Sequence, residues 1–202
     1  MKVVILESCR SPEIKKETEA LILSNFFTQH GIDYELYSND GSWQERVIVD
    51  KDLLKYCLKK LDVGIVHLAM HGSYDGFVLK WSGDETTSKR VPQELLTNSD
   101  IRAISEWRGK LVVSGACCSA GLASSFLDAG ATGVVAPENL IPWTNLGKFF
   151  SLFYKALFLG QNAAEALSVA ISQFPEFKNY HLYSASELYY LGCDNHQNRK
   201  PD

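Results

Sequence analysis

The stretch Leu111-Val112-Val113-Ser114-Gly115-Ala116-Cys117-Cys118-Ser119-Ala120-Gly121 decides how this chain is read. Its first residues are a short apolar, β-branched run that follows Lys110, which is the pattern of a buried strand over Lys110–Ser114. Small residues then crowd a tight turn. A helix is expected from about Ala120 to Asp128, stopped at Gly130. Cys117 therefore falls just past a strand and just before a helix. A helix N-terminus stabilises negative charge, which lowers a thiol pKa and favours the reactive thiolate. Ser114, Gly115, Ala116, Ser119, Ala120 and Gly121 would let a substrate backbone approach closely.

A second stretch has the same form. Val63–Ala69 reads as a strand, and in Val66-His67-Leu68-Ala69-Met70-His71-Gly72 the residue His71 lies just past the apolar run. Two parallel strands put their exits at one sheet edge, so an imidazole and a thiol 46 positions apart (71 to 117) can be neighbours.

Working outward, strands alternate with helices along most of the chain. Lys2–Leu6 reads as a strand. Pro12 and Glu13 open a helix that runs to about Gln29 and stops at Gly31. Tyr34–Tyr37 is a second strand. Asp50–Leu61 is helical, with Leu53, Leu54, Cys57, Leu58 and Leu61 on one face. Phe77–Trp81 and Ser88–Val91 suggest a hairpin or an extended excursion, followed by a helix near Pro92–Thr97 or Ser99–Glu106. Gly133–Ala136 is a further strand, Leu146–Leu159 and Ala163–Gln173 are helices, and Leu188–Leu191 is a candidate last strand. Such alternation implies an α/β fold, a three-layer α/β/α sandwich with a mostly parallel central sheet and its site beyond the C-terminal strand ends. One domain is expected over residues 1–193, with a polar tail over 194–202.

Composition removes several function classes. Apolar residues make up 46% and charged residues 22%, which is ordinary for a globular chain. The net charge of −4 and the lack of any long Lys/Arg run argue against a nucleic-acid partner. No stretch approaches the roughly 20 apolar residues of a membrane span. The opening run Met1–Glu7 is too short for a signal peptide, and five cysteines at irregular spacing read as free thiols, so a cytoplasmic location is expected. No Cys or His cluster has zinc-site spacing, and no glycine fingerprint points to a nucleotide. His67 lies within an apolar strand and reads as a core histidine, on the same face as His71. Arg10 and Glu138 leave strands at the expected site edge and could meet an acidic or a basic substrate side chain by charge pairing. Glu7 and Asp75 are weaker candidates for the same task. The polar stretch within Trp81–Val91 is the candidate regulated loop.

An apolar strand ending in His-Gly, then one ending in Ala-Cys with small residues after it, resembles the caspase-like peptidases of clan CD. The ordered series is similar to the CHAT subfamily in particular. It comprises Ala116-Cys117-Cys118-Ser119-Ala120-Gly121, then Phe126-Leu127-Asp128-Ala129-Gly130-Ala131-Thr132-Gly133-Val134-Val135. Phe153-Tyr154-Lys155-Ala156-Leu157, Gly160 and Ala164-Glu165-Ala166-Leu167 follow. The likeness covers roughly residues 61–171, and the first 60 only by element order. It implies a cysteine endopeptidase that cleaves a protein or peptide substrate through an acyl-enzyme. Cys117 would be the nucleophile and His71 the base, with the backbone N–H groups of Gly72 and Cys117 as the oxyanion hole. No metal or organic cofactor is implied. Relatives often carry Ser, Asp, Glu or Gln where this chain has Gly115, and that side chain can line the pocket for the residue before the cut. Relatives also act in bacterial defence and programmed cell death under an activating or inhibitory protein partner. The competing readings are a non-catalytic caspase-like adaptor and a Cys-dependent amidohydrolase acting on a small amide.

Overall fold

The structure is a computed structural model, and it describes residues 1–8, 18–38, 48–82 and 91–184. Arg10, Cys9, Cys193, most of the proposed regulated loop and the candidate strand Leu188–Leu191 lie outside the described residues.

The first half supplies three strands and two helices. Strand β1 is Lys2–Ser8, helix α1 Glu19–His30, strand β2 Tyr34–Ser38, helix α2 Lys51–Leu58 and strand β3 Val63–Met70. Helix α1 opens at Glu19; Pro12 and Glu13, where the sequence suggests a helix start, lie outside the described residues. Thr18 has extended backbone and its hydroxyl accepts from the Leu21 N–H, which is an N-cap, and Glu19 then meets the positive end of the helix. Gly31 ends it at φ 63°, with its N–H on the carbonyls of the last turn. Asp50 caps α2 in the same way through Leu53 N–H. That helix ends at Leu58, so Leu61 falls past its apolar face and is fully exposed rather than part of it.

Strands β4 (Gly72–Ser73), β5 (Gly76–Ser82) and β6 (Val91–Thr97) form a small antiparallel sheet. The Pro92–Thr97 segment is thus a strand, and helix α3 (Asn98–Ala103) begins only after it. Strand β7 is Leu111–Ser114, helix α4 Ala123–Asp128, strand β8 Gly133–Pro137, helix α5 Leu146–Phe158, helix α6 Ala163–Gln173 and strand β9 Tyr180–Tyr183.

The main sheet has the order β2-β1-β3-β7-β8-β9, parallel throughout except for β9, which runs antiparallel against β8. Alternation along each strand divides the core in two. Val4, Leu6, Val66, Leu68, Val112 and Val134 pack on one face with Leu54, Ile101, Trp107 and Phe126. Val3, Ile5, Ile65, Val113 and Val135 pack on the other with Leu23, Phe27, Phe149, Phe153 and Ala166. The result is three layers, with α1, α5 and α6 covering one face and α2, α3 and α4 the other. This is the three-layer α/β/α sandwich with a mostly parallel central sheet expected from the sequence. Among the described residues no helix is long and apolar enough to cross a membrane.

Candidate active site

Strands β3 and β7 are neighbours and parallel, with Leu68 opposite Ser114. The Gly115 N–H donates to Leu68 O at 2.9 Å and carries the ladder one residue further. His71 and Cys117 each stand three residues past this rung, so the register delivers both to one edge of the sheet. The two exits touch directly at Gly72. A Cβ on Gly72 would lie 2.7 Å from Ala116 Cβ and 2.8 Å from Cys117 O, so only glycine fits there.

The turn carrying the thiol is held by its serines. The Ser119 hydroxyl donates to Ala116 O at 2.8 Å, so the Ser114 hydroxyl is the donor in its 2.7 Å bond to Ser119. Ser114 in turn accepts from the Ala116 N–H at 3.1 Å. Cys118 sits in the left-handed region at φ 58°, with its N–H on Asn139 O at 3.1 Å. That conformation costs a non-glycine residue about 1 kcal/mol or more and reverses the chain. Cys117 is left half-buried while Cys118 is buried. The neighbouring Cys118 thiol raises the Tyr74 phenol above its ordinary range. The expected helix N-terminus behind the thiol is corrected in form: a 3₁₀ turn, Ser119–Leu122, follows the reversal, and α4 starts only at Ala123.

The segment after β8 meets both candidate groups. The Ile141 N–H donates to Cys117 Sγ at 3.5 Å. The Trp143 ring lies edge-to-face with the His71 imidazole, centroids 5.0 Å apart at 66°. The His71 carbonyl accepts from the Val78 N–H at 2.9 Å, which ties this exit to the small sheet.

The other candidates are placed differently. Gly115 is buried, and a side chain there would overlap the carboxylate of Glu19 from α1. Glu138 leaves β8 largely exposed, 3.7 Å from His181 on β9. Glu7 is buried in β1 and accepts from the Ser38 hydroxyl at 2.5 Å. Asp75 lies in the exposed β4–β5 turn, where its N–H donates to the Ser73 hydroxyl. His67 is a buried core residue, as expected, and both ring nitrogens have partners: Glu19 Oε1 at 2.8 Å and the Tyr154 hydroxyl at 2.9 Å. Burial, then the nearby Glu19 carboxylate, hold the Tyr154 phenol well above its ordinary range. Neither Glu19 nor Tyr154 was foreseen from sequence, since each is far from His67 along the chain and only tertiary packing joins them. The Ile141 and Trp143 contacts were missed for the same reason. A surface cavity of about 710 Å³, lined by Met1, Leu58, Lys60 and Lys110 among others, lies by the N-terminal end of β3, away from this edge.

Comparison with known proteins agrees with this architecture. A chain from the complex of Porphyromonas gingivalis RgpB pro- and mature domains superposes with a TM-score of 0.61 at 10% identity. The alignment covers 91% of this chain and 46% of that one. The Arg-specific cysteine proteinase gingipain R gives 0.58 at 10% identity, over 91% and 45%. A secreted C11 cysteine protease from Bacteroides thetaiotaomicron, bound to an irreversible peptide inhibitor, gives 0.60 at 14% identity, over 95% and 68%. The chain therefore spans a little under half the length of the two gingipain structures. A search of curated proteins returned no match. The family description "CHAT domain" matches residues 17–199, nearly the whole sequence including both strand exits, and on that match the chain belongs to the CHAT domain family.

Proposed function

We propose that this chain is a cysteine endopeptidase working through a Cys117–His71 dyad. The observation that carries the reading is the packing of Gly72 against the Ala116–Cys117 peptide, which sets the histidine exit directly beside the half-buried thiol. His71 takes the thiol proton and the thiolate attacks the scissile carbonyl carbon. The resulting oxyanion is received by the backbone N–H groups of Gly72 and Cys117, each such donor being worth about 10²–10³ in rate. His71 then protonates the leaving amine, and an acyl-enzyme remains on Sγ. Water, deprotonated by His71, attacks that thioester and releases the acid. The fold shared with the gingipains and the C11 protease supports a polypeptide substrate, and the RgpB pro-domain complex supports control by a second polypeptide. Arg10 and Glu138 remain the proposed contacts to the substrate side chain before the cut, while Gly115 is buried against Glu19. A regulated defence or cell-death role in the cytoplasm is the setting that the family resemblance favours.

A positional peptide library, followed by an irreversible peptidyl inhibitor and mapping of the modified residue, tests the reading. Cleavage and labelling at Cys117 are expected, both abolished in Cys117→Ser and retained in Cys118→Ser. Full cleavage by Cys117→Ser would overturn the assignment. No cleavage and no labelling in the unaltered protein would favour the adaptor reading, and turnover of a small amide alone the amidohydrolase.

A further inference from the structure

The segment from Glu138 to Trp143 makes contacts that the proposed dyad mechanism does not use. Its ends are fixed. The Glu138 N–H donates to Asn179 O at 3.0 Å, next to β9, and Trp143 O accepts from the Leu146 N–H at 3.3 Å where α5 begins. The Ile141 side chain is buried with Leu146 and Phe149 in the core beneath α5, which fixes the direction of its backbone. Between these anchors the chain gives one contact to each part of the site. Asn139 O receives the Cys118 N–H, the Ile141 N–H points at Cys117 Sγ, and Trp143 lies against His71.

We propose that this segment is a catalytic strap: the Ile141 backbone N–H holds the Cys117 thiolate, and Trp143 positions the His71 ring. The inference rests on the peptidase reading above and adds to it a donor to the nucleophile itself. An N–H bonded to sulfur is worth more to a thiolate than to a thiol, because a hydrogen bond to an ionised acceptor is the stronger one. The bond therefore favours the reactive form. The strap works from fixed backbone, so nothing has to reorganise when the charge appears. Trp143 acts through His71: by limiting the ring's rotation it keeps one nitrogen aimed at the thiol.

The test reads the pH dependence of Cys117 alkylation by iodoacetamide, with the modified cysteine mapped by mass. Cys57 is an internal reference, since burial raises its thiol to about 11. In the unaltered protein Cys117 should react at pH 7 while Cys57 does not. Ile141→Pro removes the N–H and should slow Cys117 about tenfold at pH 7, with rates converging at high pH, as a midpoint raised by about one pH unit requires. Ile141→Ala keeps the N–H and should leave the midpoint in place. Should the proline variant fail to fold, replacing the residue-141 amide by an ester deletes the same N–H and keeps the side chain. Trp143→Ala should slow alkylation at pH 7 in the same direction as His71→Ala, with Trp143→Phe restoring it. An unchanged midpoint in the proline or ester variant overturns the role of Ile141, and an unchanged rate in Trp143→Ala overturns that of Trp143, both leaving the peptidase reading intact. A wild-type Cys117 no more reactive than Cys57 overturns the peptidase reading and the strap with it.

Discussion

Glu19 and His67 meet where neither has water to fall back on. Their side chains are 3% and 0% exposed, and among the described residues the second oxygen of Glu19 has no hydrogen-bond partner. An arrangement of this kind is sensitive to losing one member and tolerant of losing both, because the cost lies in the charge left behind. His67→Leu should therefore cost about 3–5 kcal/mol in urea denaturation. Tyr154→Phe, which deletes a single neutral bond to the ring, should cost about 1 kcal/mol. The paired change Glu19→Leu with His67→Leu should recover most of the loss, and a double variant no more stable than His67→Leu alone would contradict this account. The strand pattern made His67 legible as a core residue, since a histidine flanked by Val66 and Leu68 in an apolar run has nowhere else to go. Its partners were not legible. Glu19 stands 48 positions away and Tyr154 stands 87, and no local rule links a first-turn acid to a strand histidine. The Cys117 and His71 positions were readable because both follow apolar runs by a fixed small count.

At the scale of elements, the caps decide boundaries that periodicity leaves open. The β6–α3 junction is a case. Pro92 suits a first helical turn, yet the segment pairs with β5, and the helix waits for the Thr97–Asp100 capping box. Burial raises the Asp100 carboxyl, but its bonds from Thr97 and from Lys51 at 2.9 Å outweigh this and bring it down to about 2. A folded pKa below the unfolded value of about 3.9 gives stability that is present above pH 4 and lost as pH falls toward 2. Asp100→Asn keeps an acceptor for the cap and removes the charge. Its deficit in urea denaturation should be about 1 kcal/mol at pH 6 and shrink steadily below pH 4. A deficit that stays constant from pH 6 to pH 3 would assign the loss to the cap alone. Helix α1 is likewise bounded by its cap, the Thr18 hydroxyl accepting from the Leu21 N–H.

At the scale of the whole molecule, the sheet separates two cores that share almost no side chains. Phe126 is buried on one face and Phe153 on the other. Phe126→Leu and Phe153→Leu should each cost about 1 kcal/mol, and the double variant should equal their sum within about 0.5 kcal/mol. A marked departure, measured by denaturant unfolding with an unchanged m-value, would mean that strain crosses the sheet. The layered architecture was legible in outline because strand and helix periods alternate so regularly. The antiparallel β9 was not, since Tyr180–Tyr183 is short and half polar, and its place is set by pairing with β8. One consequence of the β3–β7 register concerns how such a protein can change over generations. His71 and Cys117 are both counted from the rung of Leu68 and Ser114, not from each other along the chain. The number of residues between them in sequence can therefore change without moving either exit, provided that Gly72 keeps its packing against Ala116 and Cys117.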